Sequence, residues 1–409
     1  MEEAQETKSK TEKFLDKFAN YYTPAVVLLA IIVYFITKDL HLSITFLVVA
    51  CPGALVIGAP VSNVAGIGNA AKNGILVKGG EVMDKLSKVD TLVFDKTGTL
   101  TKGKPEVTDI KTFGYDASDE LLRFVATVET KSEHHLGQTI VKEAKKRNLR
   151  LEQEVYDSEV VKGSGIRGTV NNQKLVIGNR KLMETEHIEV SSEILSYATK
   201  REMEGNTAIL AAVGKKVVGV FSIADMIRED AQAALSEMRK NGIKKIVMLT
   251  GDNKHTAELV SKELKLDEYY AELLPEQKVE YVKKLKEKHV VAMAGDGIND
   301  APAIATADIG LAMGEGGTDV SMETADVVLM ADKLMQFSHA YSLSKVTIRN
   351  MKQNTFFAVA VVFLLLGGVL SKSVHLASGM FIHEASILIV ILNAMRLIGF
   401  QRKQTKTSK

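Results

Sequence analysis

The fold of this 409-residue chain is decided by residues Asp95–Thr101, DKTGTLT, which directly follow the apolar run Thr91–Phe94. Two further apolar runs lead into aspartates in the same way, at Asp252 and at Asp296. A short apolar run is typical of a buried parallel strand, and the ligands of open α/β sheets gather at the carboxyl ends of such strands. The sequence therefore predicts an α/β domain with three aspartates at one site.

The predicted chemistry of this site is phosphoryl transfer. A carboxylate at a strand end can attack phosphorus, so we predict that Asp95 becomes an aspartyl phosphate. Thr97 stands where a phosphatase of this chemistry would use a carboxylic acid as general acid and base. Threonine cannot do that work, so a membrane-anchored phosphatase is the least favoured interpretation. Because Mg²⁺ prefers oxygen ligands, we predict a Mg²⁺ site at Asp95, Asp296 and a backbone carbonyl near Thr97.

Other polar residues are expected to serve the phosphoryl group. Lys278 is a candidate cation for the developing charge, although a solvated helix face is the ordinary role of a single lysine. Asn299 and Asp300 are placed for contacts with phosphate or with metal-bound groups. The predicted catalytic residues are Asp95, Thr97, Thr250, Gly251, Asp252, Lys278, Asn299 and Asp300.

A different pattern interrupts the α/β domain. Residues 113–218 begin with helical periods and continue with two hairpin patterns, GIRGTV–NN–QKLVIGN and TAILAAV–GKK–VVGVFS. We predict an α+β insertion there, with the α/β domain formed by residues 62–112 and 219–345.

Four apolar stretches lie near the two ends of the chain, and Glu384 in the fourth is their single charged residue. Each is close to the ~20 residues that span a bilayer. Lysine and arginine cluster before the first stretch, after the second and after the fourth, which predicts cytoplasmic termini and a cytoplasmic middle region. We expect a lead-in at 1–20, membrane hairpins at 21–61 and 346–398, a basic tail at 399–409, and interfacial positions for Tyr21 and Tyr22. The four stretches are Tyr22–Thr37, Leu42–Pro60, Thr355–Leu370 and Leu376–Ala394.

Composition excludes two other classes of protein. The 52 Lys and Arg residues nearly balance the 50 Asp and Glu residues, whereas a nucleic-acid-binding protein would show a concentrated basic excess. A single cysteine excludes both an internal disulfide framework and a Cys-x-x-Cys metal finger. We therefore expect membrane lipid, and no nucleic acid, as a partner.

The single cysteine, Cys51, precedes Pro52 inside the second apolar stretch. Proline has no amide hydrogen, so the helix is expected to break there. A passive buried cysteine beside a proline kink is the alternative to a metal-binding thiolate. His383 and Glu384 lie in the last apolar stretch, and ionisable residues inside a membrane are candidates for function.

The motifs DKTGTLT, TGD and GDGIND, in this order and with an insertion between the first two, resemble those of P-type ATPases. The resemblance covers essentially the whole chain. It implies a haloacid-dehalogenase-like, Rossmann-like phosphorylation domain with an inserted α+β nucleotide-binding domain, flanked by two transmembrane hairpins, and it implies ATP and Mg²⁺ as cofactors. Asp225 and Arg228 match the hinge between the two soluble domains of that family.

The insertion resembles that of the heavy-metal-transporting (CPx-type) subclass. Ser132–Gly137, SEHHLG, is similar to the SEHPLG motif of that subclass, with His135 in place of proline. The family resemblance implies an ATP site lined by Glu129, His134, Gly163, Gly165 and Asn179.

The same resemblance places the transported metal ion beside Cys51. Gly53 stands where heavy-metal pumps usually carry a second cysteine, which is a departure from the family pattern. One thiolate with His383 and Glu384 would favour a divalent ion such as Zn²⁺, Cd²⁺, Co²⁺ or Fe²⁺ over Cu⁺. The predicted function is ATP-driven transport, in the efflux direction, of such an ion through an aspartyl phosphate in a bacterial inner membrane.

The chain contains no Thr-Gly-Glu sequence, the motif of the actuator domain in a complete pump. We therefore expect an incomplete pump that binds ATP but does not turn over alone. Two alternatives stay open. One is a non-transporting nucleotide- or metal-binding membrane protein, and the other is the catalytic half of a split pump whose actuator comes from a separate chain.

Overall fold

The computed structural model describes residues 10–114, 117–132, 134–151, 154–161, 164–252, 254–295, 298–314 and 318–401. The helices are α1 (Lys10–Thr37), α2 (Leu40–Val49), α3 (Gly53–Lys72), α4 (Gly80–Leu86), α5 (Ser118–Glu129), α6 (His135–Lys146), α7 (Arg180–Thr185), α8 (Ser192–Met203), α9 (Ala231–Lys240), α10 (Lys254–Leu264), α11 (Pro275–Lys286), α12 (Ala301–Thr306), α13 (Asp319–Thr324), α14 (Leu334–Leu370) and α15 (Leu376–Met395). The strands are β1 (Ile75–Val77), β2 (Thr91–Asp95), β3 (Thr101–Thr112), β4 (Tyr156–Val161), β5 (Gly165–Val170), β6 (Gln173–Gly178), β7 (Thr207–Val213), β8 (Lys216–Ile227), β9 (Lys245–Leu249), β10 (Glu268–Tyr270), β11 (Val291–Gly295), β12 (Ile309–Met313) and β13 (Val327–Leu329).

A seven-stranded sheet with the order β1-β13-β12-β11-β2-β9-β10 forms the α/β domain. All its neighbouring strands pair in parallel except β1, which runs antiparallel to β13. Apolar side chains cover both faces, with Phe94 buried on one and Val93 on the other. Strand β2 lies between β9 and β11, so the three predicted aspartate-bearing strands are neighbours.

The insertion carries its own six-stranded sheet, with the order β3-β8-β7-β6-β5-β4 and antiparallel pairing throughout. Strands β3 and β8 connect it with the α/β domain. Both predicted hairpins are present. Asn171 and Asn172, between β5 and β6, have φ angles of 50° and 63°, which is the conformation that a two-residue hairpin turn requires.

Within the described residues, four helical segments are long and apolar enough to cross a membrane. They cover Asn20–Thr37, Leu40–Lys72, Leu334–Leu370 and Leu376–Met395. The second is interrupted as predicted at Cys51-Pro52, because α2 ends at Val49 and α3 begins at Gly53. The chain is an integral membrane protein by these helices.

Helix α14 joins the membrane part with the α/β domain. Its 37 residues correspond to a length of about 55 Å. Its first turns are buried in the core of the α/β domain through Phe337 and Tyr341, whereas Leu365 and Val369 pack near its other end against α1 and α2. A single uninterrupted helix therefore extends from the catalytic domain into the membrane.

Buried amides connect the membrane helices. Asn354 on α14 donates to the Ser62 hydroxyl of α3 at 3.2 Å and accepts from the amide of Asn393 on α15 at 2.8 Å. Ser62 also donates to Asn350 at 2.9 Å. Glycine at position 58 allows this approach, because a Cβ there would lie 3.3 Å from the Asn354 Cβ. The side chain of Asn354 thus bonds to α3 and α15 at once.

Replacing Asn354 by leucine should destabilise the membrane part by about 2 kcal/mol, because the buried Ser62 and the part-buried Asn393 would each lose a hydrogen-bond partner. Unfolding in mixed micelles measures the change. Gln353→Leu is the matched control, since Gln353 is exposed on the same helix. Equal stabilities of the two variants would contradict the structural role given to Asn354.

Candidate functional site

The carboxyl ends of β2, β9 and β11 open into a cleft of about 320 Å³. Asp95 is the last residue of β2, and Thr250-Gly251-Asp252 follows β9 directly. All eight predicted catalytic residues line this cleft, namely Asp95, Thr97, Thr250, Gly251, Asp252, Lys278, Asn299 and Asp300. Asp296, which the sequence places after β11, lies outside the described residues.

Lys278 is the central cation of this cleft. Its ammonium lies 2.6 Å from Asp95 Oδ1 and 2.8 Å from Asp300 Oδ1, and only 6% of the residue is exposed. Burial lowers the pKa of Lys278, but the charges of Asp95 and Asp300 more than offset it, so the pKa stands above its ordinary value. The side chain is therefore charged at neutral pH, and the ordinary role of a solvated lysine does not apply here.

A second lysine, Lys96, was not singled out by sequence reasoning. Its ammonium lies 2.6 Å from Asp252 Oδ2, which also accepts from the Thr250 hydroxyl at 3.0 Å. Burial raises the pKa of the Asp252 carboxyl, but the hydrogen bond and charge of Lys96 outweigh it, so that pKa lies below its usual range. The sequence feature that could have identified Lys96 as a site residue is its position directly after Asp95.

The loop after Asp95 is held by hydrogen bonds from Arg228. The guanidinium donates to the carbonyls of Gly98 and Thr99, at 2.5 and 2.9 Å, and to the Asp332 carbonyl at 2.8 Å. Gly98 has a φ of 71°, a conformation that favours glycine. Arg228 thus joins the phosphorylation loop with the residue that shortly precedes α14. Thr97 remains exposed at the mouth of the cleft.

A separate cleft of about 250 Å³ lies in the insertion. Four of the five predicted ATP-site residues line it: Glu129, His134, Gly165 and Asn179. Gly163 lies outside the described residues. His134 and Asn179 are the N-cap residues of helices α6 and α7, and their side chains accept hydrogen bonds from the backbone amides of Leu136 and Leu182. Since His134 Nδ1 accepts that amide, its Nε2 carries the proton in the neutral ring.

Glycines bring the backbone close together around this cleft. A Cβ on Gly165 would overlap the Ile177 carbonyl, and its φ of 147° is also unfavourable for other residues. A Cβ on Gly137 would overlap the Glu129 carboxyl group. Burial raises the pKa of Glu129 to about 7, against a smaller lowering effect of the Ser132 hydrogen bond.

The predicted transport-site residues are brought together only in part. A Cβ on Gly53 would lie 3.1 Å from His383 Nε2, so the imidazole reaches the interruption between α2 and α3. Cys51 and Glu384 are exposed, and the described part of the chain contains no group of three or more His, Cys, Asp and Glu side chains arranged to hold a metal ion. Adjacent residues of a helix point about 100° apart, so His383 and Glu384 lie on different sides of α15.

Comparison with known proteins assigns the family. The haloacid dehalogenase-like hydrolase family matches residues 89–308. The chain belongs to that family. Its homologues over almost the whole chain are heavy-metal P-type ATPases, which confirms the predicted family and fold class.

Three relatives illustrate the relationship. The chain is 38% identical to a probable cadmium-transporting ATPase of Alkalihalophilus pseudofirmus, over 97% of this chain and 57% of the relative. It is 38% identical to a copper-exporting P-type ATPase of Staphylococcus aureus, over 97% of this chain and 50% of the relative. A crystal structure of a zinc-transporting PIB-type ATPase in the E2.Pi state matches with a TM-score of 0.83 and 35% identity, over 97% of this chain and 66% of that chain. The chain thus spans about half the length of these curated P-type ATPases.

Replacing Lys278 by methionine should leave Asp95 and Asp300 buried and facing each other without a cation. Breaking such a buried pair costs about 3 kcal/mol, so amide hydrogens of β2 and β11 should exchange faster. Lys284→Met is the matched control, because Lys284 is exposed on the same helix. Equal amide hydrogen exchange in the two variants would show that Lys278 does not stabilise the cleft.

Glu129 should make the stability of the insertion pH-dependent. The unfolded chain loses this proton near the ordinary pKa of 4.5, whereas the folded chain keeps it up to about 7. The contribution of Glu129 to stability is therefore fully present below pH 4.5 and is lost as the pH rises to about 7, by roughly 3 kcal/mol in total.

Glu129→Gln should remove this part of the pH dependence, whereas Glu120→Gln, at an exposed position of α5, should keep it. Urea unfolding at pH 5 and pH 8 measures the difference. A wild-type insertion as stable at pH 8 as at pH 5 would refute the assignment.

Proposed function

We propose that this chain performs the phosphoryl-transfer and metal-binding steps of ATP-driven export of a divalent heavy-metal ion of the Zn²⁺, Cd²⁺, Co²⁺ and Fe²⁺ class. The observation that carries the proposal is the joint cleft at the ends of β2 and β9, where Lys278 lies between Asp95 and Asp300. The relationship to cadmium-, copper- and zinc-transporting ATPases supports the same activity.

In the proposed reaction an Asp95 carboxylate oxygen attacks the γ-phosphorus of ATP. A new acyl phosphate bond forms at Asp95, the bond to the bridging oxygen breaks, and ADP leaves. Lys278, already charged and held beside Asp95, would stabilise the negative charge on the transferring group. Thr250 and the amides near Gly251 would contact its oxygens.

Mg²⁺ fits this cleft, since the carboxylates of Asp95, Asp252 and Asp300 line it and Mg²⁺ prefers oxygen ligands. Asp95, the carbonyl near Thr97, and Asp296 would hold the ion, which would neutralise phosphate charge when bound. ATP would bind in the insertion at Glu129, His134, Gly163, Gly165 and Asn179. Strands β3 and β8 connect the two domains, so the insertion would have to place the phosphates of its bound ATP near Asp95.

For the transported ion we propose Cys51, His383 and Glu384 as ligands. The imidazole already lies at the helix interruption, whereas the carboxylate would have to approach from the exposed side of α15. One sulfur with nitrogen and oxygen donors favours a divalent ion over Cu⁺. We further propose that the soluble domains face the cytoplasm, by the distribution of lysine and arginine, in a bacterial inner membrane.

Phosphoenzyme formation tests the proposal. Membranes containing the chain are incubated with Mg²⁺ and γ-labelled ATP, with Zn²⁺, Cd²⁺, Co²⁺, Fe²⁺ or Cu⁺ added separately. We expect an acid-stable label that responds to one divalent ion and is lost in Asp95→Asn. Asp319→Asn, at an exposed position, should keep the label.

Two outcomes would count against the proposal. Label that persists in Asp95→Asn would show that another residue is the nucleophile. Nucleotide binding without any label would favour a non-transporting binding protein, or a chain that needs a separate actuator subunit for catalysis.

A further inference from the structure

The interruption between α2 and α3 leaves backbone carbonyls without helical partners. Pro52 has no amide hydrogen, and a new helix begins at Gly53, so the regular hydrogen-bond pattern of α2 does not continue through Cys51. The Ala50 carbonyl instead accepts a hydrogen bond from the Tyr22 hydroxyl of α1 at 2.8 Å. An unpaired carbonyl inside a membrane is costly, so this bond has more effect there than in water.

This hydrogen bond acts directly on the peptide unit that precedes Cys51. The carbonyl of Ala50 and the amide of Cys51 belong to one planar group. Tyr22 holds the oxygen of that plane, and the Cys51 amide donates to the Val48 carbonyl at 3.3 Å at its other side. With both polar atoms fixed, the plane has a defined orientation, and so does the direction in which the chain enters Cys51.

The ring of Tyr22 is itself held in place. It is half-buried and stacks on Phe18 one turn earlier, with ring centroids 5.0 Å apart. Its neighbour Tyr21, by contrast, is 71% exposed. The two tyrosines, which sequence analysis placed together at the membrane interface, therefore have different environments.

We propose that Tyr22 is a positioning residue of the transport site, where its hydroxyl fixes the backbone that carries the Cys51 thiol. The inference rests on the proposed function, because it takes Cys51 as a ligand of the transported ion. Tyr22 contacts the backbone and not the ion, so it acts through Cys51. Without its hydroxyl the peptide plane can rotate, and the thiol no longer has one position relative to His383.

Metal titration of the full chain in lipid nanodiscs tests this inference. Cys51 is the single cysteine of the chain, so any thiolate-to-metal charge-transfer absorption with Cd²⁺ or Co²⁺ arises from it. Tyr22→Phe keeps the ring and removes the hydroxyl. It should weaken Cd²⁺ binding about fivefold, the equivalent of one neutral hydrogen bond, and change the shape of the Co²⁺ spectrum.

Three further variants make the result specific. Tyr21→Phe should bind both metals like the wild type, and Cys51→Ser should abolish the charge-transfer band. Tyr22→Leu removes the ring as well and should weaken binding at least as much as Tyr22→Phe. Thermal unfolding of each variant normalises the binding signal to the folded fraction.

The possible failures are distinguishable. If Tyr22→Phe matches Tyr21→Phe in affinity and spectrum, the inference is wrong while the transport site stands. If only Tyr22→Leu weakens binding, ring packing is responsible and the hydrogen bond is not. If the wild type shows no Cys51-dependent band, the proposed transport site fails and the inference with it, whereas phosphorylation of Asp95 remains a separate result.

Discussion

Two buried ammonium groups hold the carboxylates of the phosphorylation cleft together. Parallel strands bring several acidic groups to one edge of the sheet, and without cations these groups would repel one another in a partly desolvated site. Lys278 separates Asp95 from Asp300, and Lys96 neutralises Asp252. The arrangement offsets the negative charge of the three carboxylates and places two ammonium groups where the proposed phosphoryl transfer would occur. The small residue Gly295 permits it, since a Cβ there would lie 2.7 Å from the Asp300 Cβ.

Hydrogen bonds and helix α14 connect the same cleft with the membrane helices. Arg228 bonds to the phosphorylation loop and to Asp332, and Asp230 accepts the backbone amide of Met335 in the first turn of α14. From there α14 runs without a break to the level of the buried amides around Asn354. Hydrogen bonds and one continuous helix thus connect the loop after Asp95 with α15 and with α3, which begins at the interruption.

Sequence reasoning predicted the features that depend on local pattern. The three strand ends, the hairpin at Asn171, the four apolar helices and the break at Pro52 follow from periodicity, turn chemistry and the missing amide of proline. Sequence could not show that Lys278 is buried, because its burial depends on how α11 packs across the sheet. Nor could it distinguish Tyr22 from Tyr21 or reveal the partner of Lys96, since those contacts join residues that are far apart in the chain. Nor does sequence adjacency show that His383 and Glu384 lie on different sides of α15, which follows from helical geometry.

We propose that the ends of β2, β9 and β11 form a single phosphoryl-transfer site with Asp95 as its nucleophile. Binding of beryllium trifluoride, an analogue of the phosphoryl group, tests it most directly when followed by ¹⁹F NMR of the full chain with Mg²⁺. We expect resonances of the bound analogue in the wild type, none in Asp95→Asn, and weakened binding in Lys278→Met. Bound resonances that persist in Asp95→Asn, or their absence from a folded wild-type chain, would contradict the account.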